Sequence, residues 1–202
     1  MSLSRAIFSA VVAFTLFCST QKKTVTVQEV RGNNEQEDNT KPVSLTGRYF
    51  NETYGFSVLI PEGFTGLMNP APFPNHGFCI SLTPTLEANI SIDSSYDVFF
   101  WTSLEEALSK EIGFVKPKGA EALAVEHSFT HLNNLKAIRA IVKYKTQATN
   151  EIRLQEIIVA LRKSNKEGVV YTVLLETSEP RYLQDSKTLA QLLQTWKYHP
   201  MP

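Results

Sequence analysis

Residues 136–144 alternate apolar and polar positions, with Ile138, Ala140, Val142 and Tyr144 on one side. This is the period-two mark of a half-buried strand. The same alternation returns at 153–161 through Ile157, Val159 and Leu161, and at 169–176 through Val169, Tyr171, Val173 and Leu175. Polar turns at 146–150 and 164–168 join these segments. Links this short permit antiparallel neighbours and no crossover helix. The pattern predicts a meander against which the remaining elements pack.

Upstream, 48–50 begins a short strand, 52–55 reads as a turn, and 56–61 is a strand stopped by Pro61 and turned at Gly63. Residues 64–77 carry Pro70, Pro72 and Pro74, a spacing that forbids both ladder and helix and predicts an irregular connection. Residues 78–82 and 88–93 alternate as two further strands. At 103–115 the period changes, and Leu104, Ala107, Leu108, Ile112 and Val115 share one face of a helix. Ser103 and Glu106 form a capping box at its start, and Pro117 and Gly119 mark its end. Residues 123–132 form a strand that enters the meander through Asn133 and Asn134. Pro180 opens a last helix, apolar through Leu189, Leu192, Leu193 and Trp196 and stopped by Pro200. Strands, helix, strands, helix is the order of an α+β domain, an antiparallel β-sheet covered by helices.

The N-terminus bears on the compartment. Arg5 precedes an apolar run at 6–17, and polar sequence follows at once. A bilayer span needs roughly 20 apolar residues, so this run matches the core of a secretory signal peptide instead. Cys18 closes the run and resembles the lipobox of bacterial lipoproteins, whose cysteine is diacylated and becomes the first mature residue. Phe17 stands where that pattern has Gly, Ala or Ser. Cleavage just past Thr20, giving a soluble secreted protein, is the competing reading. Residues 21–46 are polar and contain no aromatic residue, so they cannot offset their ordering entropy by burial. They read as a flexible linker of about 30 Å end to end, although 24–30 alternates and could pair as an edge strand. The expected organisation is therefore 1–20 signal, 21–46 linker and 47–202 folded domain.

Composition narrows the function classes. Of 202 residues 43% are apolar, enough for one sizeable core, and 20 basic residues balance 20 acidic ones. No basic run stands out, which removes nucleic acid as an expected partner. The cysteines are Cys18 and Cys79. Loss or acylation of the first leaves the second without an intramolecular partner, which excludes a disulfide-stapled scaffold. Cys79, among Phe78, Ile80 and Leu82, reads as a small buried hydrophobe.

Some of the wording resembles a known family. YGFSVLIPEGF at 54–64, LNNLKAIRAIVKY at 132–144 and GVVYTVLLETSEPRY at 168–182, leading to a terminal WKYHP, are similar to the PsbP-like superfamily. That superfamily also holds the DcrB-type bacterial lipoproteins. Its usual glycine after the mid-chain turn is absent, with Asn134 and Leu135 at that corner. The resemblance implies a PsbP-like α/β/α sandwich and an extracytoplasmic, non-enzymatic binding or assembly factor. It implies no photosystem role and no cofactor, because no cofactor-binding residue can be placed here.

Candidate chemistry is sparse. Glu126, His127 and His131 would suit zinc on a helix, where positions i and i+4 share a face. On a strand, four positions span about 13 Å, too far for a shared ion, and the alternation at 125–131 predicts a strand. His76 and Cys79 are close in sequence, but neither an orienting group nor an oxyanion motif accompanies them. No phosphate loop, nucleophile elbow or CxxC pair is present. Phe99, Phe100 and Trp101 form a dense aromatic run at a strand–helix junction, and exposed beside the proline-rich loop 70–74 it would be the candidate binding patch. The leading expectation is an envelope-facing binding or assembly module on a membrane tether, meeting an envelope protein. A soluble small-molecule carrier, with a cleft between the sheet and the helices, is the alternative, and an apolar cavity under helix 103–115 would favour it. A hydrolase using Cys79 or a histidine comes last.

Overall fold

Residues 157–160 read Ile-Ile-Val-Ala and all of them are buried. Successive side chains of a strand point to opposite faces, so this strand must be covered on both sides. The computed structural model, which describes residues 42–68, 76–117, 120–146, 150–163 and 168–201, shows how.

The chain opens with β1 (Val43–Leu45), β2 (Arg48–Asn51), β3 (Phe56–Leu59), β4 (Gly66–Met68) and β5 (Phe78–Ser81). Then come β6 (Asn89–Tyr96), α1 (Leu104–Val115), β7 (Glu121–Leu132) and β8 (Leu135–Lys145). It closes with β9 (Ile152–Lys163), β10 (Gly168–Ser178), α2 (Tyr182–Gln194) and β11 (Lys197–Tyr198). Eight strands make one sheet in the order β1-β4-β5-β6-β10-β9-β8-β7, antiparallel at every pairing. The expected meander is its centre, with Ile138 opposite Val159 and Val159 opposite Thr172.

Each face of the sheet has its own cover. On one, Ala107 and Leu108 of α1 pack with Trp101 over Ile138, Ala140, Val142, Ile157, Val159 and Val170. On the other, Leu189 and Leu192 of α2 join Phe56, Val58 and Trp196 over Ala137, Ile158, Ala160, Tyr171, Val173 and Leu175. Trp196 stacks on Phe56 at 4.6 Å between centroids and meets Tyr171 edge-on at 5.8 Å. Fully burying one such ring stabilises the fold by roughly 1.5–3 kcal/mol, so this aromatic stack holds the C-terminal segment in place. The antiparallel sheet covered by helices is as expected.

Three boundaries differ from the sequence expectation. Val43–Leu45 falls in the stretch read as linker (21–46), yet it pairs with Gly66–Met68, so the folded chain begins before residue 47. Gly66–Met68 lies in a stretch expected to be irregular; the prolines that forbid a ladder begin only after it, at Pro70. Finally, β2 and β3 leave the main sheet and form a second one with β11 in the order β11-β3-β2. The signal segment, Cys18, the alternating stretch 24–30 and Pro70–Pro74 lie outside the described residues. No helix among the described residues is long and apolar enough to cross a membrane.

Candidate functional site

The site is the turn between β6 and α1. Tyr96 is the last residue of β6, and the next backbone N–H, from Asp97, donates to the carbonyl of Gly168 at 2.8 Å. This ties the turn to the start of β10. A Cβ on Gly168 would sit 2.9 Å from the Asp97 Cβ, so the approach needs glycine. The Phe100 N–H donates back to the Asp97 carbonyl at 3.3 Å, which closes a four-residue turn. Both carboxylate oxygens of Asp97 accept from the buried Trp101 N–H at 3.1 Å.

Downstream, the helix start locks the other end. The Ser103 hydroxyl accepts from the Glu106 N–H at 3.1 Å, as the capping box requires. The Glu106 carboxylate reaches one residue further back than expected. It accepts from the Thr102 N–H at 3.1 Å and the Thr102 hydroxyl at 2.9 Å. These two bonds, the backbone one first, hold its pKa below the usual carboxylate value.

Between the two anchors, Val98, Phe99 and Phe100 project into solvent at 66%, 61% and 82% exposure. Phe100 adopts φ 53°, a left-handed conformation that costs an L-residue about 1–2 kcal/mol. Strain of this kind persists where the surroundings over-determine it, and it concentrates at functional sites. Trp101 turns the other way. It is 8% exposed and packs under α1, with its ring 4.9 Å from that of Phe99. The surface patch is therefore Val98, Phe99 and Phe100, with Trp101 as its root and not its third face. Trp101, expected in the patch, is buried, and Val98 takes its place at the surface. A four-residue apolar run carries no local signal for which ring turns inward.

The other candidate residues fall apart in space. Glu126, His127 and His131 lie on β7 with exposed side chains, so the imidazoles are about 13 Å apart along the strand. Among the described residues no group of three His, Cys, Asp or Glu could hold a metal ion. Cys79 is 6% exposed and sits in register with Ser91 and Leu67. Burial pushes its thiol pKa up, whereas a nucleophilic cysteine needs it lowered. The His76 ring lies against Tyr54, 5.3 Å between centroids. The interface between α1 and the sheet, where an apolar cavity would favour a carrier, is filled by the buried residues already named. An open groove of about 420 Å³ lies elsewhere, lined by His131, Asn133, Leu193, Gln194, Trp196 and Lys197.

Solved structures share this architecture. The solution structure of the cyanobacterial PsbP protein CyanoP from Synechocystis sp. PCC 6803 superposes with a TM-score of 0.51 at 15% identity, covering 75% of this chain and 91% of that one. The fold is thus PsbP-like. LpqN, involved in cell envelope biogenesis of Mycobacterium tuberculosis, gives a TM-score of 0.45 at 11% identity over 82% and 88% of the two chains. The Ran-binding protein Mog1p of Saccharomyces cerevisiae gives 0.44 at 10% over 78% and 95%. No family model matches the chain, and no curated protein matches it in sequence.

Proposed function

We propose that this protein is a non-enzymatic, extracytoplasmic binding or assembly module of the cell envelope, tethered to a membrane and acting through protein contacts at Val98, Phe99 and Phe100. The observation that carries the reading is the aromatic turn itself. Asp97, Gly168 and the α1 cap hold it between two anchors, and it presents adjoining apolar side chains to solvent. Rigid exposed aromatics lose little entropy on binding, and rings of this kind are the usual anchors of protein interfaces.

Topology is compatible with a tether on the side of the patch. Because every pairing is antiparallel, β1 enters the sheet from the end at which β6 leaves it. Val43, the first residue of β1, is therefore on the side of the sheet where the aromatic turn stands. A partner bound there would lie near the membrane that holds the anchor. The packed α1 interface gives the carrier reading no support on that side of the sheet. Burial and a raised thiol pKa at Cys79 weigh against that residue as the nucleophile of a hydrolase.

Two measurements test the proposal. The intact mass of the mature protein should show a diacylated Cys18; a free N-terminus near Gln21 would remove the tether. A photo-crosslinking residue in place of Phe100 should give a discrete adduct with an envelope protein in the host cell. The same residue in place of Leu183, exposed at 73% on α2, should give none, and Phe99→Ser should abolish the Phe100 adduct. Equal labelling at both positions, or none at either, would sink the contact reading.

A further inference from the structure

Among the described residues β7 pairs only with β8, so its other side is a sheet edge. Every side chain from Glu121 to Phe129 is exposed. Long edges are ordinarily guarded by brevity, lysine, proline or a bulge, because their unpaired backbone groups template another strand. The opposite edge obeys this rule, since β1 is three residues long. In contrast, β7 is twelve residues long, has no Lys, Arg or Pro, carries Glu121 and Glu126 as its only carboxylates, and has its irregularity at one end, between Ala122 and Ala124.

The hairpin shows which backbone groups are unpaired. Leu132 and Leu135 flank a two-residue turn whose first residue, Asn133, has φ 54°. In such a turn the flanking pair is hydrogen-bonded, and pairs alternate along the ladder. Thr130, Ser128 and Glu126 therefore bond to β8. The N–H and C=O of His131, Phe129, His127 and Val125 point away from the sheet. The side chains of Val125 and Phe129, 47% and 56% exposed, share one face.

We propose that this edge is where a second copy of the chain docks, with β7 pairing antiparallel to β7 about a two-fold axis at His127. In that register each Val125 lies opposite the partner copy's Phe129, an aromatic and β-branched pair of the kind that stabilises sheets. Glu126 falls opposite Ser128, so no like charges meet. Shifting the axis to Glu126 would set carboxylate against carboxylate. Shifting it to Ser128 would leave Phe129 and Val125 opposite histidines. The two-fold register, in which each Val125 meets a Phe129, is what favours a second copy over the chain's own alternating stretch at 24–30.

The test is disulfide trapping combined with sedimentation, using the full-length protein. At the two-fold axis, Cα atoms of a hydrogen-bonded pair lie about 5.5 Å apart, within disulfide range. Mild oxidation of His127→Cys should therefore give a covalent dimer. Phe129→Cys, on the same exposed face, is about 14 Å from its own counterpart and should give none above wild type. Wild type should sediment as a dimer at micromolar concentration. Val125→Lys/Phe129→Lys should be monomeric with an unchanged circular dichroism spectrum, and Val125→Lys/Phe129→Glu should regain the dimer through two cross-strand ion pairs. A monomeric wild type, equal trapping of the two cysteine variants, or a dimer that survives the double lysine change would each overturn the proposal. A monomer whose Val125, His127 and Phe129 amides resist hydrogen exchange would assign the edge to another strand and overturn it equally.

Discussion

Asp97 holds the Trp101 N–H with both carboxylate oxygens, each at 3.1 Å, across the three exposed residues between them. One side chain thereby fixes the point where the chain turns from the end of β6 into the core under α1. Val98, Phe99 and Phe100 are displayed because Asp97 and Trp101 are not free to move apart.

Replacing Asp97 with Ala should therefore loosen the turn and leave the Trp101 N–H buried without its partner. A hydrogen bond to a charged acceptor contributes about 1.5–3 kcal/mol. Chemical denaturation should show a loss of that size, and hydrogen exchange should rise at Phe99 and Phe100 before it rises in β9 or β10.

Phe100 tests whether strain is held for binding. Phe100→Gly removes a φ 53° penalty of about 1–2 kcal/mol and adds roughly 0.5–1 kcal/mol of backbone entropy cost. The unfolding free energy should stay level or rise by about 1 kcal/mol, while crosslinking to the envelope partner through a probe at Phe99 falls. A variant that gained stability and kept the partner would show that the ring has no part in binding.

Gly77 is constrained by backbone and not by a side chain. A Cβ there would sit 1.8 Å from the Ile92 carbonyl oxygen and 2.7 Å from its carbon. Neither atom can retreat without breaking the β5–β6 pairing, in which Ile92 lies opposite Phe78. Gly77→Ala should cost about 4 kcal/mol or more, seen as a lowered denaturation midpoint or as loss of soluble protein.

Glu111 on α1 lies against the sheet, near Asp93 and hydrogen-bonded to Thr172. Its pKa is raised above 4.5, first by desolvation and then by the neighbouring Asp93 charge. A raised folded-state pKa means that the folded protein binds the proton more tightly than the unfolded chain. The contribution of Glu111 to stability is thus fullest below the unfolded pKa and declines as pH rises through the folded one. Glu111→Gln should remove that decline. Measured from pH 4 to pH 7, the stability of the variant relative to wild type should increase with pH; a flat or falling difference would contradict the burial argument.

Side-chain period is a local property, and the features that depend on it were legible in the sequence. The strands at 136–144, 153–161 and 169–176, the helix at 103–115 with its Ser103 cap, and the strand geometry that parts His127 from His131 all come from spacing along a few residues. The antiparallel order was legible as well, because short turns allow nothing else. Coverage is a long-range property, and only the tertiary structure decided it. β7 alternates like any core strand, yet neither of its faces is covered before Thr130, because α1 and α2 pack over the middle of the sheet. β9 reads as half-buried but is buried on both faces. β2 and β3 needed β11, more than a hundred residues later, to become a sheet of their own. The candidate patch shows the same division. Val-Phe-Phe-Trp is uniformly apolar in sequence, and nothing in its own pattern separates surface from core. That choice came from a carboxylate reaching over the turn, a glycine at the start of β10 that lets the backbones meet, and the packing under α1 that takes in one indole.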